Sequence, residues 1–246
     1  MTWIKICGTT NLDDALLAVD AGADAIGFVF YEKSPRNVAP EAAAEIAAKL
    51  PGSIEKIGVF VDGTSSEPWD VVKRAHLTGI QSCCSFDGAA SGNSGAKAAG
   101  FAALRPYFKR SFISLPAELF LVDNHYVGHL AATLAKWRDS LTNAVAQEGI
   151  LDTFMLDSSS VSQPGGTGKT FDWQKAVPVA NAMQESGMKL IVAGGLGPEN
   201  VVEAISLLQP WGVDVVSGVE ATPGKKDPDK VRAFVKAVRE KDRKAS

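Results

Sequence analysis

Short runs of β-branched and aromatic residues alternate with amphipathic stretches along this chain, and this alternation constrains its fold more than any other feature. Leu12–Ala21 and Ala39–Leu50 are amphipathic stretches of helical character, and each follows a run typical of a strand. Strands that alternate with helices favour a parallel sheet. The predicted strands are Trp3–Cys7, Ala25–Phe30, Lys56–Val61, Leu77–Cys83, one within Phe112–Val122, Phe154–Asp157, Lys189–Ala193 and Val213–Val216.

The chain length bears on how such a sheet is arranged. With 246 residues and 46% hydrophobic composition, the sequence fits one closed (β/α)8 TIM barrel of the α/β class. An open, doubly wound sheet is the alternative that the same alternation allows. We expect a single domain over 1–246 with an enlarged region around 85–150. That region contains a loop or weak helix at Gly88–Gly100 and a helix at Leu130–Ala146.

The charge balance and the cysteines exclude several classes of protein. A formal net charge of -3 gives no excess of positive charge with which to bind a nucleic acid or an anionic membrane. A strand begins almost at the N-terminus and no stretch is apolar enough to span a bilayer, so we expect a cytoplasmic protein. Cys7, Cys83 and Cys84 lack the spacing of a disulfide framework or a zinc site, so the sequence predicts free thiols and no metal.

Cys7 stands where the first strand gives way to a loop, which is where barrels carry their reactive groups. Side chains alternate along a strand, so Lys5 and Cys7 share a face, and a nearby ammonium favours a thiolate. Cys7 is therefore a candidate base or nucleophile. The alternative is a small buried residue that only fills space.

Two carboxylates belong to strands of the predicted barrel. Asp157 ends the sixth strand, where partial burial favours the neutral form that a general acid needs. A turn or a helix cap is the alternative for this residue. Asp214 interrupts the eighth strand, where an unpaired carboxylate is costly, so we expect it to have a partner, a ligand or both.

Glycines follow the two last strands of the predicted barrel. Gly194 and Gly195 end the seventh strand, and Ser217 and Gly218 end the eighth. Barrels commonly bind phosphate at these two positions, because glycine lets backbone N–H groups approach the phosphate oxygens closely. The positions therefore predict a phosphate site, and two ordinary turns are the alternative.

The run Pro164–Thr170 contains Gly-Lys-Thr but does not fit a P-loop. Gln163 stands where that motif requires a glycine. A loop that covers the substrate, with Lys169 or Thr167 available to the ligand, fits better. Arg36, which follows the second strand, is a candidate contact for a substrate carboxylate, or else a solvated surface arginine.

Taken in order, these pieces resemble the phosphoribosylanthranilate isomerase family along nearly the whole chain. The shared runs are Lys5-Ile6-Cys7-Gly8, Asp13-Asp14-Ala15, Gly27-Phe28-Val29-Phe30, Ser34-Pro35-Arg36, Gly58-Val59-Phe60-Val61, Leu156-Asp157, Gly166–Trp173, Ala193-Gly194-Gly195-Leu196, Pro198-Glu199-Asn200, Val213-Asp214-Val215, Gly218-Val219-Glu220 and Pro223–Asp227.

The resemblance implies an isomerase of tryptophan biosynthesis that uses neither a metal nor an organic cofactor. The family converts N-(5'-phosphoribosyl)anthranilate to 1-(2-carboxyphenylamino)-1-deoxyribulose 5-phosphate by an Amadori rearrangement. The resemblance assigns the general base to Cys7 and the general acid to Asp157. It also puts Arg36 near the anthranilate carboxylate and Asp214 close to the anthranilate amine. The backbones of Gly194, Gly195, Ser217 and Gly218 are implied to hold the phosphate. The expected partner is a small phosphorylated molecule, bound by a monomer or a homodimer.

The fourth strand departs from the family pattern, because Gln81-Ser82-Cys83-Cys84 stands where Gln-Leu-His-Gly is usual. We expect the two cysteines to fill space. Two alternatives therefore stay open: a noncatalytic sugar-phosphate-binding barrel, and an isomerase of a histidine-pathway aminoaldose phosphate. Cys7 argues against the second, since a carboxylate is expected there in that family. The histidines, which are predicted to be structural or exposed, are His76, His125 and His129.

Overall fold

The computed structural model describes residues 1–61, 68–83, 110–121, 153–158 and 168–245. Eight strands form a closed barrel in chain order, and the first strand pairs in parallel with both the second and the eighth. An open sheet would leave two unpaired edges, so the barrel prediction is confirmed and the open alternative is wrong. The strands are β1 (Trp3–Ile6), β2 (Ala25–Val29), β3 (Glu55–Val61), β4 (Gly79–Cys83), β5 (Arg110–Pro116), β6 (Thr153–Asp157), β7 (Lys189–Val192) and β8 (Gly212–Val215).

In the part of the chain that the structure describes, helices follow seven of these strands. They are α1 (Leu12–Ala21), α2 (Pro40–Ala47), α3 (Pro68–Arg74), α4 (Glu118–Leu121), α5 (Trp173–Glu185), α6 (Val201–Leu208) and α7 (Pro228–Ala245). A 3-10 turn at Ser217–Val219 follows β8 and leads into a hairpin of two short strands, β9 (Glu220–Thr222) and β10 (Lys225–Lys226). Among the described residues, no helix is both long enough and apolar enough to cross a membrane.

The ends of α1 follow directly from its sequence. The Asn11 side chain accepts a hydrogen bond from the backbone N–H of Asp14 at 2.9 Å and so begins the helix. Gly22 ends it in the left-handed conformation, with φ 98°. The predicted bounds of α1 are confirmed, whereas α2 is shorter than the predicted Ala39–Leu50. It begins at Pro40, whose missing N–H suits the first turn.

The core has two layers, and successive residues of β1 point alternately into one layer and the other. Ile4 and Ile6 belong to the layer between the strands and the helices, and are fully buried there. Trp3 packs in the barrel interior with Phe112, at a ring centroid distance of 6.3 Å. Lys5 also points into the interior, where it contacts groups of other strands. The period of two that predicted a shared face for Lys5 and Cys7 is therefore visible in the packing.

The bounds of β5 correct the sequence prediction. The strand begins at Arg110, before the predicted range Phe112–Val122, and the later part of that range contains α4 instead. A charged residue can start this strand because Arg110 donates to both carboxylate oxygens of Glu55, at 2.6 and 2.8 Å. Pro116 ends the strand, since it lacks the N–H that a ladder needs. The predicted segments Gly88–Gly100 and Leu130–Ala146 lie outside the described residues.

Candidate active site

The carboxyl ends of the strands meet at one mouth of the barrel, where a cavity gathers most of the predicted site residues. Its lining consists of Asp157, Gly168, Gly194, Gly195, Leu196, Asp214, Val216 and Ser217. The two carboxylates thus face the same space as the glycines of the predicted phosphate site. Gly168, Leu196 and Val216 were not predicted as site residues, since apolar side chains and a loop glycine carry no distinctive chemical signal.

Cys7 lies directly after β1 and is 3% exposed. Its backbone N–H donates to the carbonyl of Val215 at 2.9 Å, which fixes it beside the end of β8. A Cβ atom on Gly27 would lie 2.5 Å from Cys7 Sγ and 3.0 Å from Lys5 Cε, so the thiol and the lysine stem lie on the same side of the sheet. Burial raises the pKa of the Cys7 thiol, the Lys5 ammonium opposes that rise, and the Asp214 carboxylate adds to it.

Lys5 joins the Cys7 region to the cavity. Its ammonium donates to Asp214 Oδ1 at 2.8 Å and to Gln81 Oε1 at 2.9 Å, and its side chain is fully buried. Burial alone would lower the pKa of Lys5, but the Asp214 carboxylate and the Cys7 thiol raise it above its usual value. The prediction that Asp214 needs a partner is confirmed, and the partner is an ammonium from the neighbouring strand.

Asp157 ends β6 and is half-buried, as predicted for a candidate acid. Its carbonyl accepts the backbone N–H of Ala117 at 2.8 Å, so the residue is held by the start of the segment after β5. Cys83, at the end of β4, is close enough to sense this carboxylate. Burial and then the charge of Asp157 raise the pKa of the Cys83 thiol to about 12, so this thiol is neutral at physiological pH.

Gly194 and Gly195 adopt a backbone conformation that other residues rarely take, with φ of 85° and 62°. A side chain at Gly194 would collide with Ser158, and one at Gly195 would collide with the backbone of Lys169 and Thr170. The glycines therefore let the chain segments after β6 and β7 approach each other along the cavity wall. Gly218 likewise packs closely against the backbone of Leu196, because a side chain at this position would collide with the Leu196 carbonyl.

Arg36 is buried, so the alternative of a solvated surface arginine is wrong. Its Nε donates to both carboxylate oxygens of Glu220, at 2.9 and 3.2 Å, and its Nη2 donates to Oε2 at 2.6 Å. The sequence did not single out Glu220 as a partner, and nothing local could have done so, because the pair is separated by 184 residues. Arg36 does not belong to the cavity lining, although its stem lies near Val216, which does.

A lysine that sequence reasoning missed completes this group. The Lys226 ammonium donates to the Cys7 carbonyl at 2.6 Å and to Glu220 Oε1 at 3.2 Å. Its backbone N–H donates to Asp14 Oδ2 at 2.8 Å, so the hairpin is tied to the start of α1. Lys226 is almost fully buried, and it links the backbone of Cys7 to the carboxylate that holds Arg36.

Several predictions lie partly or wholly beyond the described residues. Thr167 and Cys84 lie outside, and so does the greater part of the predicted substrate-covering loop Gln163–Thr170. Lys169 is described and exposed. His76, the histidine that the structure describes, is exposed after α3, as predicted. Within the described ranges, no group of three or more potential metal-ligating side chains comes together.

Comparisons with known proteins agree with this geometry. A profile of the family described as N-(5'phosphoribosyl)anthranilate (PRA) isomerase matches residues 4–82 and 131–237. The N-(5'-phosphoribosyl)anthranilate isomerase of Geobacter sp. (strain M21) is 40% identical over 235 residues, which cover 96% of this chain and 97% of that protein. The profile match is interrupted after residue 82, in the strand that departs from the usual Gln-Leu-His-Gly.

Solved structures show the same similarity. Phosphoribosyl anthranilate isomerase from Thermotoga maritima superposes with a TM-score of 0.73 at 32% identity, over 98% of this chain and 100% of that one. A phosphoribosyl anthranilate isomerase in complex with reduced 1-(o-carboxyphenylamino)-1-deoxyribulose 5-phosphate superposes with a TM-score of 0.70 at 31% identity, with the same coverage. That protein therefore binds a phosphorylated ligand that carries an aromatic carboxylate.

Proposed function

This chain belongs to the N-(5'-phosphoribosyl)anthranilate isomerase family and catalyses the Amadori rearrangement of that substrate, and we propose that Cys7 and Asp157 carry the two proton transfers. The product is 1-(2-carboxyphenylamino)-1-deoxyribulose 5-phosphate. The reaction needs one group that gives a proton to the ribose ring oxygen and another that removes the proton from C2'. One cavity supports the assignment, because Asp157, Asp214 and the glycines of the predicted phosphate site all line it. Asp214 lies beside Cys7, and both contact Lys5.

Asp157 acts as the general acid. It donates its proton to the furanose ring oxygen, the bond from that oxygen to C1' breaks, and the open sugar forms a Schiff base with the anthranilate nitrogen. A carboxyl group at the cavity wall suits this step, because it can give its proton directly to a substrate bound in that cavity. Asp214 also lines the cavity, where its position suits a contact with the anthranilate amine.

Cys7 acts as the general base on the open intermediate. Its thiolate removes the C2' proton, and the resulting enolamine then tautomerises to the ketose product. Burial raises the thiol pKa, so the thiolate is a minor species at neutral pH but a strong base once formed. The neighbouring Lys5 ammonium lowers the cost of forming that negative charge in a buried position.

The two ends of the substrate carry negative charges that orient it. The phosphate binds the backbone N–H groups of Gly194, Gly195, Ser217 and Gly218. The anthranilate carboxylate binds Arg36, whose stem lies near Val216 of the cavity wall. A substrate held at both ends presents its ring oxygen and its C2' proton to fixed groups, which is the main contribution of positioning to such a reaction.

The test follows the loss of substrate fluorescence from freshly generated N-(5'-phosphoribosyl)anthranilate. We expect Cys7→Ser and Asp157→Asn each to lower turnover by roughly 10²- to 10⁴-fold, because each removes a proton-transfer group. The affinity for the reduced product should stay within a few-fold of wild type, because neither substitution touches the phosphate site. Asp13→Asn, on the exposed face of α1, is the control and should leave both values unchanged.

Loss of reduced-product binding in step with turnover would contradict the assigned roles. Tight binding of the reduced product without turnover by the wild-type protein would instead support the noncatalytic alternative. The altered end of β4 would then be the first segment to test by substitution. Turnover of the histidine-pathway aminoaldose phosphate, measured by separation of its substrate and product, would support the other alternative.

Other properties remain predictions for this isomerase. We expect a single domain over 1–246 with its enlarged region around 85–150, and a reaction that needs no metal or organic cofactor. A monomer or a homodimer in the cytoplasm is expected, with the phosphorylated substrate as the binding partner. Activity after exhaustive treatment with a chelator and sedimentation analysis of the purified protein test the cofactor and the oligomeric state.

A further inference from the structure

The carboxylate of Glu220 occupies one edge of the Arg36 guanidinium. Nε and Nη2 donate to Glu220, and both side chains are almost fully buried. Nη1, at the opposite edge, meets no acceptor within the described part of the chain. A guanidinium has five N–H donors in a fixed plane, so a partner on one edge sets the direction of the other.

We propose that Glu220 is a specificity-determining positioning residue, which fixes the free edge of Arg36 so that the site selects substrates with a carboxylate beside the aromatic amine. This inference rests on the proposed function, in which Arg36 binds that carboxylate. Glu220 itself touches no reacting atom. It acts through Arg36, as a fixed anion that stops the guanidinium from turning or from meeting a substrate at varied angles.

The charges around Glu220 support this role. Its single carboxylate is shared between two buried cations, Arg36 and Lys226. Burial and the nearby guanidinium hold the pKa of Lys226 below its usual value, although the Glu220 carboxylate opposes that shift. With Lys226 protonated, two cations share one carboxylate, so the group of three carries a surplus of positive charge. A second carboxylate at the free edge of Arg36 balances that surplus.

The space around the arginine stem also supports it. A Cβ atom on Gly8 would lie 2.6 Å from Arg36 Cδ and 3.2 Å from Val216 Cγ1. The stem therefore runs against the backbone of Gly8, next to a residue of the cavity wall. The Gly224 N–H donates to Glu220 Oε1 at 3.2 Å, which fixes the carboxylate from the hairpin side. Arg36 is thus held along its stem and at its head, and its position can serve as a geometric filter.

The experiment compares two ligands that differ in the carboxylate alone. They are the reduced product, reduced 1-(o-carboxyphenylamino)-1-deoxyribulose 5-phosphate, and the matching phenylamino compound without the carboxyl group. Dissociation constants are measured for the wild-type protein, for Glu220→Gln and for Glu220→Asp. Glu55→Gln is the control, because Glu55 forms a similar two-point pair with Arg110 at the opposite end of the barrel.

We expect the wild-type protein to prefer the carboxylate ligand by roughly tenfold to a hundredfold, as a charge-assisted pair predicts. Glu220→Gln should remove most of that preference while the affinity for the phenylamino ligand stays within about threefold. Glu220→Asp keeps the charge but withdraws the carboxylate, and should lose the preference as well. Glu55→Gln should keep it.

Three outcomes overturn the inference or its premise, and they differ from one another. Equal weakening of both ligands in the Glu220 variants means that Glu220 only holds the hairpin in place. An unchanged preference in folded Glu220→Gln means that Arg36 needs no orientation. If the wild-type protein does not prefer the carboxylate ligand, Arg36 does not bind the substrate carboxylate. That result contradicts the proposed function, on which this inference rests. If Glu220→Gln does not fold, Glu220→Asp decides between the first two outcomes.

Discussion

Lys5 and Asp214 form a buried ion pair beside the Cys7 thiol, and the two charges act on that thiol in opposite directions. The ammonium lowers its pKa, and the carboxylate raises it. Burial has the largest effect and raises it, while Lys226 lowers it. Cys83 adds a neutral thiol on the side of β4. In the proposed reaction Cys7 acts as a thiolate, so these charges set the pH range in which the proposed base ionises.

The pH dependence of the Cys7 ionisation tests this balance. In the wild-type protein we expect the thiolate to form only in the alkaline range, because burial raises the pKa of Cys7. Lys5→Met removes the nearby cation, so the thiol should ionise at higher pH than in wild type. Asp214→Asn removes the nearby anion, so the thiol should ionise at lower pH than in wild type.

Opposite shifts are informative because general damage to the site would move both variants alike. The ultraviolet absorbance of the thiolate, taken as the difference from a matching Cys7→Ser protein, measures this ionisation without turnover. Shifts in one direction for both variants would contradict a role for the pair in setting the thiol pKa. Breaking the buried pair costs roughly 3–5 kcal/mol of stability, so each variant is checked for folding first.

Single residues could be predicted from sequence where the chemistry depends on position along a strand. Asp157 and Asp214 stood out because a carboxylate at the end of, or within, an apolar run needs an explanation. The partner of Asp214 did not, because Lys5 and Asp214 are 209 residues apart and meet through closure of the barrel. Pairing across such distances depends on the register of strands, which an individual residue type does not reveal.

At the scale of elements, α7 is anchored at the amino-terminal end of the barrel, where its side chains contact the residues around β1. Arg239 donates to the Thr2 carbonyl at 2.5 Å, to the Gly22 carbonyl at 3.0 Å and to Asp24 Oδ2 at 2.7 Å. The Asp242 carboxylate accepts the backbone N–H of Thr2 at 2.9 Å. The Arg239 side chain therefore binds carbonyl groups at both the start of β1 and the end of α1.

Arg239→Ala should destabilise the protein because it leaves these acceptors without their donor. We expect a loss of about 1–3 kcal/mol, since the bonds are charge-assisted and partly buried. For a chain of this size, that loss corresponds to a decrease in Tm of roughly 2–12 °C. Thermal unfolding followed by circular dichroism measures it.

Lys236→Ala, on the same helix, is the matched control. Its side chain is 73% exposed and lies 3.9 Å from Glu240, so it should change Tm by less than about 2 °C. Equal effects of the two substitutions would mean that α7 is stabilised by its helical propensity and not by the anchor at Arg239.

Elements were predictable where local signals marked their ends. Asn11 and Gly22 cap α1, and its bounds followed from the sequence. β5 was misplaced because its first residue, Arg110, reads as polar and finds its partner on β3 only after the strands have assembled. The apolar residues of α4 then looked like a continuation of the strand, since a short apolar run has no period that separates the two.

Across the whole molecule, the two ends of the barrel have different chemistry. The carboxyl end carries the cavity and the buried charges around Cys7. At the amino end, the rings of Trp3 and Trp211 stack at a centroid distance of 5.2 Å, and Arg110 lies 4.5 Å above the Trp211 ring. Glu55 binds the same arginine. These contacts close the amino end with aromatic rings, which serves stability and leaves the opposite end to function.

The buried charges at the carboxyl end also make the stability of the whole molecule depend on pH. Burial disfavours the Glu220 carboxylate, but hydrogen bonds from Arg36, the charge of Lys226 and the N–H of Gly224 outweigh this and lower its pKa below the usual 4.5. A carboxyl group with a lowered pKa in the folded state contributes stability above its unfolded pKa. That stability is lost as the pH falls through the folded value.

We therefore expect wild type to be more stable than Glu220→Gln by about 2–4 kcal/mol at neutral pH. The difference should shrink progressively as the pH falls below 4.5, because protonated Glu220 then resembles the neutral amide. Urea unfolding at a series of pH values measures it, with Glu240→Gln on the exposed face of α7 as the control. A difference that stays constant down to strongly acidic pH would mean that Glu220 stabilises the fold by its shape and packing. A shrinking difference would mean that the charge of Glu220, which pairs with Arg36 and Lys226, stabilises the folded barrel.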